Sequence, residues 1–364
     1  TGADAESSWI TTIDVFQQDG SWDTSVGNQG RVQVNLAGGD YATGLSEQSD
    51  GKWLVAGLAN YGVGNDHWTL TRFNSDGTLD TSFATNGSLV YDVPSFGTSS
   101  HAAQLADGSI AIVGGTSSNR KLGILKVTSA GAVDSGFGSG GFVTIDLGNQ
   151  GDNSCGYAQV LPNDDGTFWV STSNSYQSGI DRSSHLLHLD PSGNILSHKQ
   201  VLLGTAVRTD DIVIDSKGRF LRAAVADNDL VVTRQTPSGE LDTSFGGTGV
   251  VRLDVSASNE AGSGIALMPD DSVLAGYLFD DYQKAGIFRL NSVGNVIPLS
   301  DSSDEHVHDF GVRVGQNHVW LDLMTSSADS FWLGSPAAAD VTYHAVKLDL
   351  AGGDLTIDED ATEQ

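Results

Sequence analysis

The chain has 364 residues, with 18 Lys and Arg against 46 Asp and Glu and a formal net charge of −28 at pH 7. So acidic a surface repels nucleic-acid phosphates and anionic headgroups, which argues against both as partners. One cysteine excludes an internal disulfide framework or a Cys-rich zinc module, and no apolar run approaches the ~18 residues of a membrane span.

In chain order, Trp9–Phe16 reads first, as a lone strand. Arg31–Leu36 then alternates apolar and polar residues, Tyr41–Gln48 follows, and Asp50-Gly51 turns into Lys52–Leu58. His67–Phe73 leads to a turn at Gly77. Asp-Gly between alternating runs predicts a tight hairpin whose primed turn takes positive φ at both central residues. Asp107-Gly108, Asp165-Gly166 and Lys217-Gly218 hold the same place further on. No segment sustains a 3.6-residue period with caps, and 45 Gly exceed what a helical protein carries, so the chain is expected to be all-β.

The pattern repeats. Phe73-Asn74-Ser75-Asp76-Gly77-Thr78-Leu79-Asp80-Thr81-Ser82-Phe83 returns as Thr236-Pro237-Ser238-Gly239-Glu240-Leu241-Asp242-Thr243-Ser244-Phe245, and weaker copies carry their glycine at Gly20, Gly131, Gly193, Gly294 and Gly352. Spacings of 57, 54, 62, 46, 55 and 58 residues between these glycines define repeats 20–76, 77–130, 131–192, 193–238, 239–293 and 294–352. Units of four short strands bury both sheet faces by radial stacking. The expectation is one domain over 1–364: a six-bladed β-propeller of four-stranded blades. Trp9–Phe16 aligns with the last strand of a unit, so an N-terminal strand is expected to complete the final blade and close the ring.

The run Asp50-Gly51-Lys52-Trp53-Leu54-Val55-Ala56-Gly57, followed by Thr69–Phe83, resembles the delta-60 repeat of bacterial secreted and surface proteins. The resemblance covers most of the chain and is closest in the first, second and fifth repeats. The fourth is short and lacks the Leu-Asp-Thr-Ser-Phe run. It implies a β-propeller of tandem repeats on the extracytoplasmic side, and brings no catalytic signature with it.

Most recurring polar residues read as structure. Arg72, Lys126, His188, Arg234, Arg289 and Lys347 hold one position, and eight residues on from three of them stand Asp80, Asp134 and Asp242. A cation between apolar neighbours needs such a carboxylate, so ion pairs are expected here rather than an anion-binding stripe. Gly136-Phe137-Gly138-Ser139-Gly140-Gly141 matches G-x-G-x-x-G but opens no helix, and the dinucleotide reading fails with it. Asp76 with Asp80, and Asp19 with Asp23, could hold Ca²⁺ at a turn; the expectation is that they accept from their own loop backbone.

By analogy with propellers, ligands meet the loops leading into the innermost strands, taken here as the second strand of each unit. Those positions are Asp40 and Tyr41, Ser100 and His101, Asn153 and Cys155, Thr209, Asp210 and Asp211, Asn259 and Glu260, and Asn317 and His318. Asp40, His101, Glu260 and His318 are the candidate metal ligands, and Tyr41, Asn153 and Asn317 the candidate ligand-binding residues. His101, Asp210 and Asp211 are the candidate acid–base set, with a metal acidifying bound water. His306, His308 and Asp309 form a second candidate metal cluster, because i, i+2 side chains share a strand face.

The leading expectation is a secreted or cell-surface binding module for a glycan, a protein or a small ligand. The alternative is a metal-dependent hydrolase or lyase at the channel mouth, its cofactor one divalent ion, calcium or a transition metal. A structural spacer of a larger surface protein is the third reading. Fold alone does not choose among them.

Overall fold

The structure is a computed structural model. It describes residues 11–15, 17, 21–34, 41–59, 67–93, 99–116, 121–147, 154–175, 182–204, 207–227, 229–253, 261–268, 270–279, 284–297, 322–327, 330–336, 343–349 and 356–357. All regular structure among them is strand. The chain divides into two compact units, residues 1–17, 22–177 and 184–200 in one and residues 18–21, 178–183 and 201–364 in the other.

In the first unit, β1 (Thr11–Asp14) pairs with β2 (Arg31–Val34). Next, β3 (Tyr41–Glu47), β4 (Trp53–Ala59), β5 (His67–Phe73) and β6 (Ser88–Tyr91) form a four-stranded antiparallel sheet in chain order. The next sheet repeats the plan with β7 (Ser99–Gln104), β8 (Ile110–Thr116), β9 (Lys121–Val127) and β10 (Phe142–Ile145). A further one follows from β11 (Ser154–Pro162), β12 (Phe168–Ser175), β13 (Arg182–Leu189) and β14 (Ile195–Gly204).

The second unit continues in the same way. Its sheets are β15 (Val207–Ile214), β16 (Phe220–Ala226), β17 (Asp229–Gln235) and β18 (Val250–Leu253), then β19 (Ala261–Leu267), β20 (Val273–Phe279), β21 (Lys284–Leu290) and β22 (Val296–Ile297). The last is β23 (Asp322–Ser327), β24 (Ser330–Pro336), β25 (Tyr343–Asp349) and β26 (Thr356–Ile357).

Sheet and sequence repeat are out of phase by one strand. The leading strand of a repeat is the outer strand of the sheet before it: β6 belongs to the repeat that starts at Gly77 yet pairs with β5. The β1–β2 pair is antiparallel like β5–β6 and forms a two-stranded sheet of its own. The hairpins differ from the primed-turn expectation. At Asp50-Gly51, Gln48 N–H donates to Lys52 C=O and Gly51 N–H to Gln48 C=O, and positive φ falls on the glycine alone, at 77°. A three-residue loop with one left-handed glycine needs no unusual conformation from the aspartate.

Within each unit the first strands carry the sheet-to-sheet packing. β7 lies against β3 and β4, and β11 against β7 and β8; in the second unit β19 lies against β15 and β16, and β23 against β19 and β20. The second and third strands are covered on both faces, so they read as continuous apolar runs: β8 and β16 are buried throughout. Leu54, Leu70 and Phe83 meet Ala102, Ile110 and Leu125 in one core, and Val113, Ile124 and Phe137 meet Val160, Phe168 and Leu187 in another. In the second unit Leu221, Val232 and Phe245 meet Ile265, Val273 and Phe288.

The loop motif is what joins one repeat to the next. Phe83, Phe137 and Phe245 are fully buried beneath the glycine turn of the following repeat. A Cβ at Gly131 would stand 2.8 Å from the Phe83 ring, and one at Gly193 2.9 Å from Phe137. The residue after each aromatic donates to that same turn: Ala84 N–H to Ala130 C=O at 2.8 Å, Gly138 to Ser192 at 3.0 Å, and Gly246 to Val293 at 2.9 Å. The G-x-G-x-x-G run is therefore one such joint.

The recurring cations lock the joint from the other side. Arg72 Nε sits 2.8 Å from Asp80 Oδ2, its Nη1 donates to Ser129 C=O at 2.6 Å, and its guanidinium lies 4.4 Å above the Phe83 ring. Lys126 reaches Asp134 at 3.5 Å and Pro191 C=O at 3.3 Å. Arg234 reaches Asp242 at 2.9 Å and donates to Ser292 C=O, over Phe245 at 4.6 Å. His188 instead meets Thr167 Oγ1 at 2.8 Å and stacks on Trp169, while Arg289 turns to Asp270 at 3.3 Å.

Candidate functional site

The first strand of each sheet breaks register. In β3 the break falls between Ala42 and Gly44, in β7 between Ser99 and His101, and in β11 between Cys155 and Ala158. In the second unit it falls between Thr209 and Asp211 on β15 and between Gly262 and Ile265 on β19. Counted from the hairpin, the break follows four pairs in β3, β7 and β15, where Gly44, His101 and Asp211 pair with Ala56, Val113 and Ala223. It falls one pair further along in β11 and one pair nearer in β19, and in β23 it lies beside the hairpin, between Thr325 and Ser327. A bulge bends a strand and re-aims its side chains, and bulges concentrate beside binding sites.

Two candidate side chains can be followed in detail. His101, half-buried, stands at the bulge of β7, and its Nδ1 accepts the Val160 N–H of β11 at 3.3 Å. Burial pushes the imidazole down to about 4, so it is neutral at pH 7. With Nδ1 accepting, the ring proton sits on Nε2, and His101 offers a ligand one N–H donor. Asp211 holds the matching place on β15. One of its oxygens accepts its neighbour Ile212 N–H at 2.8 Å and the other accepts Ile265 N–H of β19 at 3.3 Å. These residues therefore brace successive first strands as well as lining the bulge.

Tyr41 begins β3, Cys155 lies on β11, and Asp210 is the extra residue in the bulge of β15. Asp40, Asn153, Glu260, His306, His308, Asp309, Asn317 and His318 lie outside the described residues. Among the described residues no three His, Cys, Asp or Glu side chains gather as a metal-ligand set.

The turn aspartates accept from their own loops. Asp76 takes Thr78 N–H at 2.9 Å and its hydroxyl at 2.6 Å, and these bonds hold its carboxyl below the usual range. Asp23 likewise accepts the Ser25 N–H and hydroxyl.

One pair escaped the sequence reading. His185 on β13, fully buried, and His198 on β14, exposed, face each other with Nδ1 and Nε2 2.8 Å apart. The available signal was the fourth repeat's departure from its siblings: β14 runs ten residues straight out of the Gly193 turn, where β6, β10 and β18 have four.

Comparison with known proteins places the fold. A family model described as a domain of unknown function (DUF5122) β-propeller matches residues 48–83. No curated protein matches the chain. Among solved structures, a protein from Lactobacillus plantarum is similar at a TM-score of 0.56 and 11% identity, over 90% of this chain and 86% of that one. The α-L-arabinofuranosidase Arb93A from Fusarium graminearum, in complex with an iminosugar inhibitor, is similar at 0.52 and 12% identity, over 94% and 98%. The GH93 α-L-arabinofuranosidase of Fusarium graminearum with arabinobiose is similar at 0.51 and 10% identity, over 85% and 93%. Identities this low speak for fold alone, and with the family match they make this an all-β chain of β-propeller architecture.

Proposed function

We propose that this chain is a secreted or cell-surface six-bladed β-propeller, closed by its N-terminal strand, that binds a glycan without turning it over. The observation that carries the reading is the recurrence of a bulge on successive first strands, at one ladder position in β3, β7 and β15 and within one pair of it in β11 and β19. A bulge re-aims the side chains beside it, and binding residues concentrate at such bulges and on the loops that flank them. In the first unit His101 supplies a neutral donor at its bulge, and in the second Asp211 supplies at its own bulge an acceptor already braced by backbone amides; each suits a hydroxyl-rich ligand. Two solved structures of the same fold hold sugar-like ligands, arabinobiose and an iminosugar. An extracytoplasmic setting agrees with the −28 charge and with the delta-60 resemblance.

The experiment is thermal melting and calorimetry of the purified protein against a panel of arabinan, xylan, mannan and chitin oligosaccharides, with product analysis of each mixture. One oligosaccharide class should raise Tm with saturation and no product, since a ligand that prefers the native state stabilises it. His101→Ala should weaken that binding by tenfold or more. Released sugar would overturn the non-catalytic reading in favour of the hydrolase scheme on Asp40, His101, Asp210, Asp211, Glu260 and His318. No shift across the panel would overturn the glycan reading itself.

A further inference from the structure

We propose that His185 and His198 form a chelating site for a late first-row divalent cation, copper(II) above all, on the outer half of the β11–β14 sheet. The geometry is direct. The two imidazoles stand on neighbouring strands with Nδ1 of one and Nε2 of the other 2.8 Å apart, and their rings are tilted by 34° with centroids at 5.1 Å. Copper(II) prefers a square-planar or tetragonal set, and with bonds of about 2.0–2.1 Å, as imidazole nitrogen makes to zinc, cis nitrogens stand about 2.9 Å apart. The spacing therefore fits already, and rotation of the exposed His198 turns both lone pairs toward the ion.

The repeat position does not by itself call for the pair. His185 is Thr172's partner across β12 and β13, and its equivalents in the other sheets are Thr69, Gly123, Val231, Gly286 and His344. Gly123 shows one use of the position, since a Cβ there would stand 2.7 Å from Phe142 and 3.1 Å from Trp68. What sets the β11–β14 sheet apart is the ten-residue β14, which brings His198 opposite His185 where β6, β10 and β18 have four residues.

Chemistry selects the ion. Imidazole nitrogen suits copper, zinc and nickel, and affinity peaks at copper(II) in that series. In the metal-free pair one ring donates its N–H to the other. Binding moves that proton to the same ring's second nitrogen, so both facing lone pairs reach the ion and no net proton is released. Two protein ligands leave the remaining positions to water, and micromolar affinity is expected.

The test is titration of EDTA-stripped full-length protein with Cu²⁺ at pH 7.5 by calorimetry, followed by electron paramagnetic resonance of the loaded sample. One saturable site with hyperfine structure from two nitrogens is expected. His198→Ala, an exposed change that leaves the buried packing alone, should weaken binding tenfold or more and remove a nitrogen from the spectrum. Absence of saturable binding in the parent protein would overturn the proposal. So would equal affinity in the variant, which would assign the ion to other histidines among the nine in the chain.

Discussion

Arg234 tests whether the recurring cations hold the repeats together. Its side chain is 2% exposed, and Asp242, which it meets at 2.9 Å, is 14% exposed. Its other nitrogens donate to Ser292 C=O of the next repeat and to Ser244 Oγ. Replacing it by Met keeps much of the aliphatic volume over Phe245 and removes the charge. Stranding one partner of a buried ion pair costs about 3–5 kcal/mol. Asp242 retains Ser244 N–H at 3.1 Å and Arg219 at 3.4 Å, which puts the expected cost at the low end, about 3 kcal/mol.

Arg289→Met is the control at the same repeat position. Its carboxylate partner Asp270 is 61% exposed and stays hydrated when left alone, so about 1 kcal/mol is expected. Urea unfolding followed by fluorescence and circular dichroism reads both as midpoint shifts at unchanged slope. Asp242→Asn in the Arg234→Met background should recover part of the loss, because no buried charge then lacks its partner. Equal costs for Arg234→Met and Arg289→Met would refute the joint as a source of stability and return the cations to the surface.

Three further outcomes follow from the same geometry. Gly294→Ala should cost clearly more than Gly247→Ala in thermal melts: both glycines have positive φ, but a Cβ at Gly294 meets Gly246 N at 2.7 Å while one at Gly247 meets nothing within 4 Å. The Asp80 carboxyl is held far below its usual range by the Ser82 hydroxyl first, then against the cost of burial by Lys52 and Arg72. Its charged form favours the folded state, so it contributes stability above about pH 4 that fades as pH falls; Asp80→Asn should flatten the loss of Tm between pH 5 and 3. His101, at about 4 when folded, takes up protons on unfolding between its ordinary value and 4, so stability falls as pH drops through that window. His101→Gln should remove that slope, and an unchanged slope would show the imidazole to be solvated.

Strand positions and repeat spacing were legible because they rest on local chemistry. Asp-Gly and Ser-Gly turns punctuate the chain at sites of left-handed backbone, which glycine adopts without strain and which Asp271 takes in one matching hairpin, and the cation–aspartate offset of eight residues spans one strand end and one loop. The turn type was misjudged because Asp-Gly suits both a two-residue primed hairpin and a longer loop; the hydrogen bond from Gln48 to Lys52 decides for the longer one. The phase of the sheets was hidden for a different reason. Whether β6 joins the strands before or after it depends on the pairing of Trp68 with Tyr91 across a loop, and strand pairing is a tertiary choice that periodicity does not encode. The bulges were invisible too, since one extra residue in a strand leaves composition untouched. The His185–His198 pair sits thirteen residues apart on strands that only the sheet aligns. What marked it was negative, a repeat that drops its Leu-Asp-Thr-Ser-Phe loop. In a chain built by repetition, the copy that departs from the pattern is freed from the duty that fixes the others, and function has room to settle there.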